Sequence, residues 1–416
     1  MSPTPREHIV FLQGMPSPFF RRVGHCLAKH GWRVTRINLS PGDWLFWHDT
    51  YSRNYRGRYA DWPWYIRELF QKEQVTDLML LGEKRRYHKE AVAIALELGI
   101  RVTVTDFGYL RPDWITLERN GMSGQSLFPR DPERIRTLAR QAVVFDWQSR
   151  FVDSAWQMAV GDLSQNFSNI FARPFFPFYR RSDLRPPTLL YTPASAWRLL
   201  GNRWRKRRTH EQCESLWRSG RPYYLFPIQL NFDFQIVAYS PFPGMEAAIE
   251  QVMDSFERHA PTESLLVIKE HPWDPALPNW ERFVHRSAQR RKLENRVVYL
   301  RGGNLNALIE RSQGVVLVNS STGLRALQIH RPLKVLGSAV FDIPGLTFQG
   351  SLDDFWREAK PPEPQLREDF FTALAATIQV RGVFFQEPGV TEAVIETCHR
   401  LRTHTVGEIT HRVREA

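Results

Sequence analysis

Cysteine is scarce in this chain: its 416 residues include three, Cys26, Cys213 and Cys398, with no paired spacing. Neither a disulfide framework nor a zinc knuckle is therefore indicated, and a reducing cytoplasm is the expected setting. No run reaches the ~18 apolar residues that a membrane-spanning helix needs. The stretch from Met1 to His8 passes straight into Ile9-Val-Phe-Leu12 without the long apolar core of a signal peptide. Export by a standard signal and integral membrane insertion are both unexpected. There is also no GxGxxG motif and no P-loop, so dinucleotide cofactors and ATP chemistry lose support. No clustered His/Cys pattern and no Asp-x-Asp occurs, so the expectation is chemistry with no metal and no cofactor.

What is present is ordinary in bulk and unusual in charge. Apolar residues at 42% and charged residues at 24% fit a soluble globular protein with substantial cores. The length suggests about two to three domains, most simply two similar α/β domains. A formal net charge of +12 points to an acidic partner, with nucleic acid, anionic lipid and sugar nucleotide all qualifying.

The chain opens with an apolar strand, Ile9 to Leu12, closed by Gln13 and Gly14. A helix over 18–31 follows, with Phe19, Val23 and Leu27 on one face and Gly31 as its stop. Arg33–Leu39, Thr76–Gly82 and Arg101–Asp106 read as further strands, with a helix over Lys89–Leu98. Alternation of this kind predicts a parallel sheet with helices on both faces. The stretch Gly108–Gly121 reads as a loop. From about Ser182 to Arg221 the pattern breaks, and Trp197 to Arg208 reads as a basic, tryptophan-bearing helix. Such a helix fits an anionic membrane surface, with a solvated linker as the equal alternative.

The strand–helix rhythm then restarts with Tyr223–Gln229, Ser264–Lys269, Arg296–Leu300, Gly314–Asn319 and Leu333–Gly337. The expected division is 1–185, an acceptor-side Rossmann-like domain; 186–221, a basic interdomain segment; 222–350, a Rossmann-like sugar-nucleotide domain; and 351–416, C-terminal helices packing back on the first domain. Two doubly wound domains facing each other across a cleft make the GT-B plan of α/β nucleotide-sugar transferases.

Three apolar runs in the second half end in polar residues, as buried parallel strands do when they deliver side chains to a ligand at their carboxyl ends. Asn319-Ser320-Ser321-Thr322-Gly323 lies between a strand and a helix. Hydroxyls and free N–H groups there suit a phosphate, whereas plain N-capping accounts for one hydroxyl more easily than for three. His271, its position fixed by Pro272, could donate to a phosphate oxygen or assist a leaving group, and Lys269 strengthens the anionic reading. Asp233, four residues past Gln229, could serve as nucleophile or general base, with a loop or cap role equally open.

These motifs, together with Phe11 to Arg22, Arg36 to Asp43, Gly108 to Glu118, Asn319 to Leu327, Pro332 to Gly337 and Asp342 to Thr347, resemble the capsule polysaccharide β-Kdo transferases of the single-module KpsS/LipB type. The resemblance covers residues from about 8 to 350. It implies retaining transfer of Kdo from CMP-β-Kdo to a phosphatidylglycerol-type phospholipid, beginning the poly-Kdo linker of Gram-negative capsules. It places the protein in the cytoplasm, peripheral on the anionic inner membrane, with other capsule assembly proteins as partners. Asp233 would be the catalytic carboxylate, supported by Gln229, while His271, Ser320 and Ser321 would bind the CMP phosphate. Gln13, Gly14, Pro16 and Ser17, with Arg111 and Glu118, would line the acceptor side. The alternatives are a sialic-acid-type CMP-keto-sugar transferase and a non-catalytic capsule assembly or export factor. Nucleic acid is not an expected partner, because arginines and tryptophans cluster in one linker instead of along a groove.

Overall fold

In the computed structural model the described residues are 7–143, 145–181, 202–231, 234–272, 274 and 278–409. The chain divides into two compact units. The first comprises Met1–Phe128, Arg136–Asp183 and Phe370–Ala416, and the second comprises Pro129–Ile135 and Leu184–Asp369.

The first unit is built on strands β1 (His8–Phe11), β2 (Arg33–Asn38), β3 (Ser52–Asn54), β4 (Asp77–Leu81), β5 (Arg101–Phe107), β6 (Trp114–Arg119) and β12 (Gln379–Arg381). They form one seven-stranded sheet in the order β12-β6-β5-β4-β1-β2-β3. From β3 to β5 neighbours run parallel, and β6 and β12 add antiparallel pairs at one edge. β1 and β4 are buried along their whole length, which is why Ile9–Phe11 and Leu78–Leu81 read as unbroken apolar runs. Phe19–Lys29 is a helix whose buried Phe19, Phe20, Val23 and Leu27 cover one sheet face. The other face is covered by Trp62–Lys72 and Arg86–Glu97, through Trp62, Ile66, Tyr87 and Ala91.

The second unit holds β7 (Tyr223–Pro227), β8 (Leu265–Lys269), β9 (Val297–Leu300), β10 (Gly314–Leu317) and β11 (Leu333–Val335), all parallel, in the order β11-β10-β7-β8-β9. Helices over Met245–His259 and Trp280–Arg290 bury Ile249, Val252, Phe256 and Val284 against it. Each unit is thus a doubly wound, Rossmann-like α/β layer, the pair of units that a GT-B chain comprises.

The C-terminal region is mostly helical, and Gln379–Arg381 adds β12 to the first sheet. Two expectations need correction. Gly108–Gly121 is not a loop throughout, because Trp114–Arg119 pairs with β5 as strand β6. A disulfide joins Cys26 to Cys398 across 372 residues of sequence. Pattern rules read spacing along the chain, and this pairing exists only because the Gly389–Arg402 helix returns to pack on Phe19–Lys29. Among the described residues no helix is long and apolar enough to cross a membrane.

Candidate functional site

In the second unit β7 lies between β10 and β8, so the residues that follow these three strands emerge side by side at the carboxyl edge. Gln229 follows β7 and Asn319 follows β10, and the two hold each other: Gln229 Nε2 donates to Asn319 Oδ1 at 3.1 Å, and the Asn319 backbone N–H donates to Gln229 Oε1 at 3.2 Å. Asn319 Nδ2 also donates to the Tyr239 carbonyl at 3.2 Å. Both amides are buried, so their contribution is to fix the edge rather than to meet solvent.

His271 follows β8 and is half-buried. Its turn is fixed from below: the Asp274 backbone N–H donates to the His271 carbonyl at 3.1 Å, and Trp280 Nε1 donates to the Asp274 carboxylate at 2.9 Å. Lys269 is buried, with its ammonium donating to the Glu270 carbonyl at 3.3 Å, and desolvation lowers its pKa. Glu270 accepts from the Tyr299 hydroxyl at 2.5 Å inside the unit.

Ser320 Oγ accepts from the Thr322 backbone N–H at 3.2 Å and donates to Thr322 Oγ1 at 3.0 Å, so one hydroxyl does cap the following turn. Ser321 makes no side-chain capping bond and is exposed. Gly323 is required for packing: a Cβ there would meet the Phe341 ring and sit 3.2 Å from Leu317. Gln229, His271 and the Asn319–Gly323 turn are therefore brought to one edge. Asp233 lies outside the described residues, as do Trp197 and its neighbours in the linker.

In the first unit the Gln13–Ser17 segment follows β1. Gln13 Nε2 donates to Asp43 Oδ1 at 2.9 Å and its Oε1 accepts from Arg85 at 3.2 Å. Asp43 also accepts from the backbone N–H groups of Leu39 and Ser40 and lies 3.6 Å from buried Arg36. Asp43 and Ser40 form a reciprocal capping box at the start of the Pro41–Phe46 helix. Gly14 has no room for a side chain, since a Cβ would lie 2.5 Å from the Phe20 ring. Ser17 is buried and Pro16 half-buried. Arg111 is exposed and stacks 5.3 Å from the Phe107 ring.

Glu118 departs from expectation. It lies on β6, buried, accepting hydrogen bonds from the Ser126 hydroxyl and, at 3.1 Å, from Tyr109. Burial pushes its pKa up to about 8, against the two hydrogen bonds and with a further upward push from Glu83. Glu83, after β4, is itself pushed by burial to about 7. Asp106, at the end of β5, is raised for the same reason. His88 is fully buried, its Nδ1 facing the Leu81 and Gly82 carbonyls, and burial lowers its pKa to about 3.

The sequence reading missed Asp43, Glu83, Asp106 and Asp274. The Ser40-x-x-Asp43 spacing was a legible signal for the first, and positions at or just past the ends of strands for the next two. Among the described residues, the one group with side-chain donors close enough to share a metal ion is Cys26, His30 and Cys398. Its sulfurs are bonded to each other, and His30 Nδ1 already faces the Cys26 carbonyl at 2.8 Å.

The family model for capsule polysaccharide biosynthesis proteins matches residues 76–385. The chain is 30% identical over 387 residues to the capsule polysaccharide export protein KpsS of Escherichia coli, covering 90% of this chain and 96% of the relative. It is 27% identical over 394 residues to the capsule polysaccharide modification protein LipB of Neisseria meningitidis serogroup A, covering 92% of each. A solved structure of the β-Kdo 2,7 transferase KpsC of Thermosulfurimonas dismutans is 13% identical, with a TM-score of 0.46 over 95% of this chain and 99% of that one.

Proposed function

The chain belongs to the capsule polysaccharide biosynthesis protein family, and on that premise we propose that it is a retaining glycosyltransferase moving Kdo from CMP-β-Kdo to a phosphatidylglycerol-type lipid at a membrane surface. The observation that carries this reading is the carboxyl edge of the second sheet. There the Gln229–Asn319 pair locks two strand ends together, with His271 following the neighbouring strand β8 and exposed Ser321 at the turn. Strand ends of a parallel sheet are where a doubly wound unit takes a nucleotide.

In this proposal His271 and the Ser320–Ser321 turn hold the CMP phosphate, stabilising charge as the sugar–phosphate bond breaks. Asp233 supplies the carboxylate that stabilises the oxocarbenium-like sugar, by covalent capture or by charge. Gln229 positions the segment that carries it. Gln13, Gly14, Pro16, Ser17 and Arg111 of the first unit would meet the lipid acceptor. No cofactor or metal takes part, and other capsule assembly proteins are the expected partners.

Purified protein incubated with CMP-Kdo and a fluorescent phosphatidylglycerol analogue should release CMP and give a product heavier by Kdo in mass spectrometry. Asp233→Asn should lower turnover by ~100-fold or more while leaving CMP-Kdo binding intact. The name of the Escherichia coli relative, an export protein, favours a second reading: a non-catalytic assembly or export factor. Full retention of capsule assembly by the Asp233→Asn chain would establish that second reading instead.

A further inference from the structure

The helix Ala155–Phe171 carries Trp156, Val160, Leu163 and Phe167 at steps of three and four residues, with Ile170 and Phe171 three and four beyond Phe167, which places all six on one face. All six are exposed, and Gly161 is the helix's one buried residue. Asp162 is its sole charged side chain. The opposite side seats the helix on its own unit. A Cβ at Gly161 would lie on the Pro16 carbonyl oxygen, and the Gly42 backbone N–H donates to Asn169 Oδ1 at 2.8 Å. The arrangement is inverted from that of an ordinary surface helix, which turns its apolar side inward and its polar side to water. A shallow groove of about 560 Å³ follows Val160, Leu163, Phe167 and Phe171. Just beyond the helix, exposed Phe175 and Phe178 are flanked by exposed Arg173 and Arg180.

The geometry points to this face as the surface by which the chain lies on an anionic phospholipid bilayer. Its aliphatic and aromatic side chains enter the boundary between headgroups and acyl chains, and the arginines at its end meet the phosphates. The assignment rests on the lipid-acceptor reading above and deepens it. Charge complementarity selects a bilayer over a second copy of the chain, because another such helix brings a single acid, Asp162, to these arginines. Position agrees: the Gln13–Ser17 segment, proposed to meet the acceptor, lies against the inner side of this same helix through Pro16.

The test is co-sedimentation of the full chain with vesicles of equal parts phosphatidylcholine and phosphatidylglycerol. The double variant L163S/F167S changes two exposed side chains and should leave the unfolding midpoint in place. Its vesicle partition should fall by ~10-fold or more, since each side chain loses much of its transfer energy. Trp64→Ser, at an exposed tryptophan on a different helix, should change partition by less than ~2-fold. Equal vesicle binding by L163S/F167S and the unsubstituted chain overturns the assignment. So does a lipid-free dimer of the unsubstituted chain that the double variant dissociates, which would identify the occupant as a second copy. Because sedimentation needs no sugar donor, its outcome is separable from that of the transfer reading. Absent CMP release together with variant-sensitive vesicle binding removes the transferase alone, and CMP release with variant-insensitive binding removes the docking face alone.

Discussion

At the scale of single residues, Glu118 has the clearest measurable consequence. Its carboxyl keeps a proton in the folded chain up to about pH 8, whereas an unhindered glutamate releases it near 4.5. The folded state thus binds more protons than the unfolded state between those values, and stability falls as pH rises through that window. The contribution is complete below the ordinary value and lost on passing the raised one. One proton is worth up to ~1.4 kcal/mol per pH unit. Glu118→Gln preserves the hydrogen-bonding shape toward Tyr109 and Ser126 and removes the titration. Urea unfolding between about pH 5 and pH 8 should give a flatter slope for the variant. An unaltered slope would assign the titration elsewhere, with Glu83 the first candidate because it is shifted the same way.

At the scale of elements, close approach decides which substitutions are tolerated. Gly161→Ala places a methyl on the Pro16 carbonyl oxygen, 3.3 Å from the Phe385 ring. The helix must lift or the Gln13–Ser17 segment must move, at a cost of ~1–3 kcal/mol in chemical denaturation. Gly42→Ala meets the Gln165 carbonyl oxygen at 2.8 Å and should behave similarly. These contacts join segments more than a hundred residues apart, so no local pattern announces them.

Local pattern did announce β1, β2, β4, β5 and all five strands of the second sheet, because each is apolar or alternates with β-branched residues and sits in a strand–helix rhythm. It failed at β6, which has no helix between it and β5 and joins that strand as an antiparallel neighbour, outside the strand–helix rhythm. It failed again at β12, three residues long and partnered with Thr116, Ile115 and Trp114. For the candidate site, the sequence showed which residues follow strand ends. It could not show that Gln229 and Asn319 bond to each other, or that Glu118 is buried. The apolar stripe of Ala155–Phe171 had the period of a core face, and only the fold reveals that it points outward.

At the scale of the whole molecule, the first unit is assembled from both ends of the chain. β12 covers the exposed edge of β6, and the Gly389–Arg402 helix buries Val390, Ala393, Val394 and Leu401 in the same core as Phe19 and Leu27. A chain ending at residue 369 should lose the cooperative unfolding of the first unit and bind hydrophobic dyes. Calorimetry of the shortened protein beside the full one would check this, and a retained transition would show that the first unit needs no C-terminal residues.

That split assembly has a consequence during synthesis. The second unit is encoded almost entirely by one continuous stretch, so it can close while the ribosome is still working. The opening half, made earlier, must wait with an unpaired strand edge until Gln379–Arg381 has been made. In the cell, the oldest part of the polypeptide is therefore the last to be finished, and holdase chaperones have their longest opportunity there.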